Sequence, residues 1–377
     1  MTDDDFMRVA LRLARRGYGA TSPNPMVGAV LVKAGKIIGR GWHRRAGEPH
    51  AEIEALNNAR AKGNDARGST LYVTLEPCST HGKTPPCTEA IKAAGIKKVV
   101  GGATDPNPAH AGQGFKILKR AGIEVVHGVL AEETARLNEA FNHWIVRRTP
   151  FVTVKAAMTL DGKIATARGE SKWITGEKAR TYGMTLRQGA DAVLVGINTV
   201  LADDPALTAR LVRSPRSELQ RLKQRIILDS MARTPIRARV LREESAAMTT
   251  ILVGKQAPKT RVASLARKVR VIVAPLVNAR DKDEEPRINL RWLLKKLGAE
   301  NVTSLLVEGG GEVNASFLLG GMAQRVAFFY APKILGGRDA RKGVGGAGVQ
   351  SVAEMIRLRE VEWRRLGPDL LLTGRVS

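Results

Sequence analysis

The stretch Pro49-His50-Ala51-Glu52 decides how the first half of this chain folds, because it places an imidazole and a carboxylate at the start of a predicted helix. Two cysteines follow: Cys78 comes after a short apolar strand, and Cys87 opens a second predicted helix. Helix N-termini favour negative charge, so two of them meeting here would help to keep the thiols ionised. Imidazole and thiolate are ligands that zinc prefers, and three protein ligands leave a fourth position for water. The residues therefore predict a catalytic zinc site with ligands His50, Cys78 and Cys87.

Cys78 and Cys87 are the only two cysteines of the chain, so a disulfide between them is the alternative. Structural disulfides are typical of secreted proteins. Residues 1–5 are acidic where a secretory signal would be basic, and we expect no export and a cytoplasmic location. Metal binding is the favoured interpretation. For Glu52, the alternative is a solvated glutamate at a helix start.

The order His-x-Glu, then Pro-Cys, is the signature of zinc-dependent nucleobase deaminases. Zinc lowers the pKa of bound water towards about 7, and Glu52 would carry protons to the ring nitrogen and to the departing ammonia. The spacing from Cys78 to Cys87 is longer than in base-editing and transfer-RNA deaminases, and the insertion contains Lys83, which can hold a phosphate. Asn24, between two prolines, can bond a pyrimidine edge, and His43 can contact ribose or phosphate. A turn-forming asparagine and a surface histidine are the alternatives.

Composition restricts the possible partners. A chain of 377 residues with 43% hydrophobic residues predicts two globular domains, and no apolar run is long enough for a membrane span. The net charge of +25 can indicate nucleic-acid binding. However, the basic residues are scattered, and aromatic residues make up only 4%, too few for stacking on bases. The favoured interpretation is a basic surface that attracts anionic small molecules, with neither nucleic acid nor membrane as a partner.

The first half has the periodicity of an α/β/α sandwich, and Arg147-Arg148-Thr149-Pro150 is the predicted domain boundary. This gives a first domain over 1–148 and a second over 149–377. The predicted helices cover 3–16, 50–62, 86–94, 112–121 and 131–146, and the predicted strands 27–33, 37–42, 71–75, 98–102 and 123–127.

The second half also alternates strands and helices. Glu308-Gly309-Gly310-Gly311-Glu312 follows a strand and opens a helix, where glycine N–H groups can approach a phosphate. It is not a G-x-G-x-x-G pattern, so a Rossmann fold is not indicated, and a simple turn is the alternative. A helix is predicted over 176–188 and loops over 196–205 and 276–287. Strands are predicted over 151–156 and 192–195 and near 225–229, 249–253, 269–274, 302–307, 325–330 and 369–374.

Nearly the whole chain resembles a known family, the bifunctional pyrimidine deaminase/reductases of riboflavin biosynthesis. In the first half the resemblance rests on 22–29, 46–52, 75–78 and 84–87, where Thr84-Pro85-Pro86-Cys87 is highly specific. It implies a cytidine-deaminase-like fold with zinc on the three predicted ligands and Glu52 as proton donor. It also implies substrate contacts from Asn24, His43 and Lys83. The chain departs from the family at Thr80, where a histidine is usual.

In the second half, the segments 154–165, 169–175, 198–210 and 308–311 resemble the reductase half of that family. The resemblance implies a dihydrofolate-reductase-like α/β fold that uses NADPH. Core tryptophan and surface arginine are the alternatives for Trp173, Arg187 and Arg210. The implied NADPH contacts are Ala157, Trp173, Thr199, Asp203, Ser230, Gly310, Gly311, Glu312, Val313, Asn314, Ala315 and Ser316. The implied substrate contacts are Ser171, Arg187, Leu207, Arg210 and Glu308.

The predicted function is therefore two consecutive steps on a phosphorylated pyrimidine: deamination, then reduction of the ribosyl group with NADPH. Lys155 and Asp203 are both candidates for the proton source in the second step. One rival is a nucleic-acid deaminase with a basic RNA-binding domain, and a second is a ligand-binding scaffold without activity. We expect a homo-oligomer, dimeric or tetrameric.

Overall fold

A computed structural model of the chain describes residues 1–80, 85–208, 224–242, 244–277 and 287–377. The chain separates into two compact units, Met1–Arg148 and Thr149–Ser377. Both units are α/β, which confirms the predicted fold class. No helix in the described ranges has the length and apolar character needed to cross a membrane.

The first unit is a five-stranded sheet with helices on both faces. The strand order is β2-β1-β3-β4-β5, with β1 antiparallel to β2 and β3 and the remaining pairs parallel. Its strands are β1 (Gly28–Lys33), β2 (Lys36–Trp42), β3 (Thr70–Leu75), β4 (Lys98–Ala103) and β5 (Glu124–His127). Its helices are α1 (Asp3–Ala14), α2 (Ala51–Ala61), α3 (Cys87–Ala93), α4 (Gln113–Arg120), α5 (Ala131–Leu137) and α6 (Glu139–Arg147).

Strand β1 shows why this sheet is covered on both sides. Successive side chains of a strand point to opposite faces. Ala29 and Leu31 pack into one hydrophobic cluster with α2, whereas Val30 and Val32 pack into another with α1. The uninterrupted apolar run of this strand is typical of a sheet buried on both faces.

One predicted helix, over 131–146, is interrupted in the structure at Asn138. Asn138 is 5% exposed, and its carboxamide makes two hydrogen bonds with the backbone of Met26, accepting from the nitrogen at 2.8 Å and donating to the oxygen at 2.9 Å. These bonds satisfy the hydrogen-bonding groups of the buried Asn138 side chain. They also fix the segment that carries Asn24.

The second unit has a nine-stranded sheet in the order β11-β10-β9-β8-β14-β6-β15-β18-β17. The pairs are parallel from β11 to β15, and β18 is antiparallel to both β15 and β17. The large strands are β6 (Phe151–Thr159), β8 (Ala192–Gly196), β9 (Gln224–Leu228), β10 (Thr249–Val253), β11 (Arg270–Val273), β14 (Ser304–Val307), β15 (Arg325–Ala331), β17 (Leu358–Leu366) and β18 (Asp369–Val376). Two small ladders pair β7 (Lys163–Ala165) with β16 (Arg341–Lys342) and β12 (Leu276–Val277) with β13 (Arg287–Ile288).

The α-helices in the described part of this unit are α7 (Glu177–Gly189), α8 (Ile197–Asp203), α9 (Lys259–Ala266), α10 (Leu290–Ala299) and α11 (Gly311–Leu319). The sequence predicted α7 and α11 but did not indicate α8, α9 and α10. The prediction of a loop over 196–205 is wrong, because Ile197 and Val200 lie on one face of α8 and are both buried in the core. The predicted loop over 276–287 begins in β12 and ends in β13, and 278–286 lie outside the described residues.

Candidate active sites

Three side chains from separate elements converge in the first unit. His50 directly precedes α2, Cys87 is the first residue of α3, and Cys78 lies in the loop after β3. Their ligand atoms lie within 4.8 Å of one another. His50 Nδ1 is 3.5 Å from the Cys78 sulfur and 3.3 Å from the Cys87 sulfur. The structure therefore brings together the three residues that the sequence suggested as ligands.

This donor set fits a zinc ion. Bond lengths of about 2.0 Å to nitrogen and 2.3 Å to sulfur place tetrahedral ligands about 3.5 Å apart, close to the observed separations. Both cysteines are free thiols, so no disulfide competes for the sulfurs. Hydrogen bonding from Cys87 and from His50 lowers the pKa of Cys78 and favours its thiolate. The backbone nitrogen of Cys87 also donates to the Cys78 sulfur at 3.2 Å.

Glu52 lies beside this cluster without belonging to it. It occupies the first turn of α2, is 3% exposed, and interacts with the Cys87 thiol. Burial raises the pKa of Glu52 to about 7, although the nearby His50 opposes the rise. A carboxyl group with such a pKa can both accept and release a proton near neutral pH.

Asn24 and His43 lie together close to the cluster. The His43 ring packs edge-on against His50 with centroids 5.3 Å apart. Because Nδ1 of His43 faces the carbonyl oxygen of Pro49 at 3.1 Å, it must carry the proton, which leaves Nε2 to accept from the Asn24 amide at 3.1 Å. Burial lowers the pKa of His43, consistent with a neutral ring. Its 2% exposure makes His43 a support for Asn24 rather than a surface residue.

Lys83 and Thr80 belong to the segment between the two cysteines. Lys83 lies outside the described residues, so its predicted substrate contact stays a prediction. Thr80 is exposed.

The sequence analysis did not select Glu76, which is 6% exposed and accepts backbone hydrogen bonds from Asp105, Gly112 and Gly114 at 3.0, 2.9 and 2.7 Å. Its position directly before Pro77-Cys78 was the available signal.

In the second unit, a cavity of about 990 Å³ lies at the carboxyl ends of the central strands. The N-termini of α8 and α11 both face it. Its wall includes six residues that the resemblance implicated in NADPH binding, and also Ser171, which it implicated in substrate binding. The six are Thr199, Asp203, Gly310, Gly311, Glu312 and Val313. The cavity size suits an extended dinucleotide.

The glycine loop before α11 allows close approach of a ligand backbone. A Cβ added at Gly311 would overlap the carbonyl oxygen of Lys342, whereas a Cβ at Gly310 would meet nothing within 4 Å. The backbone at Gly311 therefore packs against Lys342, whereas Gly310 has free space beside it. Backbone N–H groups at such a helix start suit a phosphate, so the chain's residues fit NADPH.

The remaining implicated cofactor residues do not line this cavity. Asn314 and Ala315 are 0% and 3% exposed, and the Asn314 amide donates to the Gly343 oxygen at 2.8 Å. The Ser316 hydroxyl donates to the oxygen of Glu312 at 2.8 Å, and Ala157 packs against a core cluster. These four are part of the supporting structure.

Trp173 and Ser230 lie elsewhere in the second unit. Trp173 is 67% exposed with the Arg180 guanidinium 4.6 Å from its ring centre, which excludes a core tryptophan. The Ser230 carbonyl accepts from the Gly254 nitrogen at 2.8 Å, in the loop after β9.

A compact charge cluster joins α7, β6 and β14. Arg187 donates two hydrogen bonds to the Glu308 carboxylate, at 2.6 and 2.7 Å, and Lys155 Nζ lies 3.6 Å from the same carboxylate. Burial alone would raise the pKa of Glu308, but the charges of Lys155 and Arg187 outweigh it and lower the pKa to about 2. Arg187 is therefore a partly buried partner of Glu308, not a surface arginine.

Three other residues of the second unit, Asp203, Leu207 and Arg210, were predicted to contact the cofactor or the substrate. Asp203 accepts from the Ser171 hydroxyl at 3.0 Å and lies 3.6 Å from Lys172 Nζ, so it belongs to the cavity wall and not to the charge cluster of Lys155. Leu207 is 2% exposed and its side chain packs in the core, so any ligand contact there would come from its backbone. Arg210 lies outside the described residues.

Comparison with known proteins finds matches for both halves of the chain. Residues 1–103 match the cytidine and deoxycytidylate deaminase zinc-binding region, and residues 150–372 match the RibD C-terminal domain. Riboflavin biosynthesis protein RibD of Aquifex aeolicus is 44% identical over 98% of this chain and 97% of its own length. The structure of Acinetobacter baumannii RibD is 36% identical, with a TM-score of 0.87 over 100% of this chain and 99% of that one.

A Thermotoga maritima structure is 39% identical, with a TM-score of 0.83 over 100% of this chain and 99% of that one. That Thermotoga protein is a diaminohydroxyphosphoribosylaminopyrimidine deaminase/5-amino-6-(5-phosphoribosylamino)uracil reductase. A zinc-binding deaminase half and a reductase half are therefore joined in one polypeptide, and the chain belongs to the RibD family of bifunctional deaminase/reductases of riboflavin biosynthesis.

Proposed function

We propose that the first unit removes the 2-amino group of 2,5-diamino-6-(5-phosphoribosylamino)pyrimidin-4(3H)-one. The second unit then reduces the ribosyl group of 5-amino-6-(5-phosphoribosylamino)uracil to ribityl with NADPH. The two activities named for the related Thermotoga protein support this assignment. The observation that carries it is the convergence of His50, Cys78 and Cys87 beside the buried carboxyl group of Glu52.

In the deamination, His50, Cys78 and Cys87 hold the metal and Glu52 moves the protons. When bound, zinc supplies the Lewis acidity that lets water lose a proton near pH 7. Glu52 would take up that proton and deliver it to the ring nitrogen as the water oxygen bonds to the carbon that carries the amino group. It would then move the remaining hydroxyl proton to the amino group, which leaves as ammonia when its C–N bond breaks. A pKa of about 7 suits both directions of transfer. The Asn24 amide, held by His43, orients the pyrimidine edge.

In the reduction, the cavity between α8 and α11 holds NADPH, and the substrate lies at the charge cluster of Lys155, Arg187 and Glu308. Two cations and one carboxylate leave that cluster with a net positive charge, which attracts the substrate phosphate. Converting ribosyl to ribityl breaks the bond between the anomeric carbon and the ring oxygen, with a hydride added to that carbon and a proton to that oxygen. Lys155 is the proposed proton source because it lies in this cluster, whereas Asp203 lies in the cofactor wall.

The decisive experiment compares the wild-type chain with Glu52→Gln and measures zinc content, ammonia release and NADPH oxidation. Glu52→Gln should keep its zinc, because Glu52 is not a ligand. Its ammonia release should fall by about 10²- to 10⁴-fold, the usual contribution of a positioned acid–base group. NADPH oxidation should persist when the deaminated substrate is supplied.

Glu54→Gln is the matched control, since Glu54 lies on the same helix turn but pairs with Arg44 at the surface. It should release ammonia like the wild type. Equal ammonia release from Glu52→Gln and wild type would remove Glu52 from the mechanism. Homo-oligomerisation and a cytoplasmic location stay predictions, and light scattering of the purified chain checks the first.

A further inference from the structure

The segment 171–176 leads into α7 and contains neither helix nor strand. Ser171, at its start, lines the cofactor cavity and donates to the Asp203 carboxylate at 3.0 Å. Trp173 follows, and its side chain is 67% exposed. The resemblance implied a substrate contact from Ser171 and a cofactor contact from Trp173. Because the segment is irregular, its backbone carbonyl groups need donors from elsewhere in the chain.

Two cationic side chains hold three consecutive carbonyl groups of this segment. The Lys333 ammonium group donates to the carbonyl oxygens of Trp173 and Ile174 at 3.1 and 2.8 Å. The Arg180 guanidinium of α7 donates to the carbonyl oxygen of Thr175 at 2.7 Å and lies 4.6 Å from the centre of the Trp173 ring. Hydrogen bonds from charged donors are about twice as strong as neutral ones. Groups outside the segment therefore fix it at successive residues.

Lys333 lies just after β15, and the turn that follows β6 holds the backbone around it. The carbonyl oxygen of Lys333 accepts from the Leu160 nitrogen at 2.8 Å. The Asp161 carboxylate accepts from the backbone nitrogens of Leu335 and Gly336 at 3.0 and 2.8 Å. The backbone from which the Lys333 side chain extends is therefore fixed to the end of β6.

The exposure of Lys333 separates a positioning role from a stabilising one. Lys333 is exposed, and the net contribution of such hydrogen bonds to the free energy of unfolding is small. Their effect on ligand binding is larger, because a segment that is not held in place must be ordered each time a ligand binds. The entropy lost in that ordering weakens binding.

We propose that Lys333 is a positioning residue of the reduction, which holds Ser171 and Trp173 in place for the substrate and NADPH before either ligand binds. It joins their segment to the turn after β6, the strand that carries Lys155, the proposed proton source. This inference rests on the proposed function of the second unit.

The test uses the full-length, zinc-loaded chain with Lys333→Met, which removes both hydrogen bonds but keeps an unbranched side chain. The KM for the deaminated substrate and the Kd for NADPH should rise about 5- to 30-fold, the cost of ordering one backbone residue on binding. The kcat should change less than about threefold, because the bound state is the same. Deuterium exchange of the peptide that covers 166–176 should be faster than in the wild type. Lys333→Arg keeps the charge and the N–H donors and should recover most of the loss.

Lys295→Met is the matched control, because Lys295 is an exposed lysine on α10 of the same unit. It should match the wild type in KM, Kd and exchange. The melting temperature of Lys333→Met should stay within about 4 °C of the wild type, and a larger fall would assign Lys333 to stability instead. Unchanged KM and Kd in Lys333→Met, or a loss confined to kcat, overturns the role of Lys333 and leaves the proposed function standing. A wild-type chain that neither binds nor oxidises NADPH overturns both.

Discussion

At the scale of single residues, the cluster of Lys155, Arg187 and Glu308 combines a large electrostatic cost with a functional use. Charges removed from water are costly unless they are closely paired and hydrogen-bonded. Here the two hydrogen bonds from Arg187 give each oxygen of the Glu308 carboxylate a charged donor. Lys155 approaches at a longer 3.6 Å, so its ammonium group keeps donors available for a substrate. The geometry thus separates a structural cation from one that can transfer a proton.

This separation predicts different effects for Lys155→Met and Asp203→Asn in the reduction. Lys155→Met removes the proposed proton source, and the kcat for NADPH oxidation should fall about 10²-fold or more while NADPH affinity stays unchanged. Asp203→Asn alters the cavity wall and should act mainly through the KM for NADPH. Steady-state kinetics with the deaminated substrate and fluorescence titration with NADPH separate the two effects.

Ammonia release serves as the internal control, because neither residue lies in the first unit. A Lys155→Met protein with wild-type kcat, together with an Asp203→Asn protein that loses turnover, would move the proton source to Asp203.

At the scale of elements, the metal centre depends on how closely α2 packs on β2. A Cβ at Gly41 would overlap the Ala51 carbonyl oxygen and the Ala55 nitrogen of α2, and one at Gly39 would overlap the Ala55 carbonyl oxygen. The two glycines therefore set the distance between strand and helix. Because α2 carries His50 at its N-terminus, that distance also sets the position of a zinc ligand.

Gly41→Ala should therefore impair zinc binding without touching a ligand. The added methyl group meets backbone atoms, so the helix must shift, and overpacking of this kind costs about 1–3 kcal/mol. The unfolding midpoint should fall by several degrees, at about 2–4 °C per kcal/mol. Zinc occupancy after dialysis against a chelator should fall below that of the wild type.

Arg40→Ala provides the comparison, since Arg40 is an exposed neighbour on the same strand. It should retain zinc and melt close to the wild type. A Gly41→Ala protein with full zinc occupancy and an unchanged midpoint would show that helix placement tolerates this substitution.

At the scale of the whole molecule, the described residues form two sets of hydrophobic clusters. Two clusters, which include Phe6 and Leu31, belong to the first unit. Three others, which include Val152, Val193 and Ala327, belong to the second. A unit of about 150 residues buries roughly 70% of the surface that its unfolded chain exposes, which is enough for independent folding.

Each unit should consequently fold when expressed alone. The fragment Met1–Arg148 should bind one zinc ion and release ammonia, and Thr149–Ser377 should bind NADPH. Circular dichroism, zinc analysis and NADPH titration of the two fragments check this, with the full-length chain as reference. A first fragment that precipitates or binds no zinc would show that the second unit is needed for its stability.

The candidate sites were predictable from the sequence to different degrees. Few residue types bind zinc, so one histidine and the only two cysteines, at the starts of predicted elements, indicated the ligands directly. The interruption at Asn138 and the helix after Gly196 were not predicted, because each depends on contacts with distant or buried partners. Strand β17 is mostly exposed and rich in charged residues, so its pairing with β18, rather than burial, defines it.

The sequence alone determined the family, the α/β class and the chemical identity of the metal-binding side chains. These follow from residue type and local spacing, which act over a few neighbouring positions. Tertiary structure alone decided that His43 supports Asn24, that Lys155 lies with Glu308 while Asp203 lies in the cavity wall, and that Lys333 reaches the carbonyl oxygen of Trp173. Such partnerships join residues far apart in the chain, and only the packing of whole elements brings their side chains within hydrogen-bonding distance.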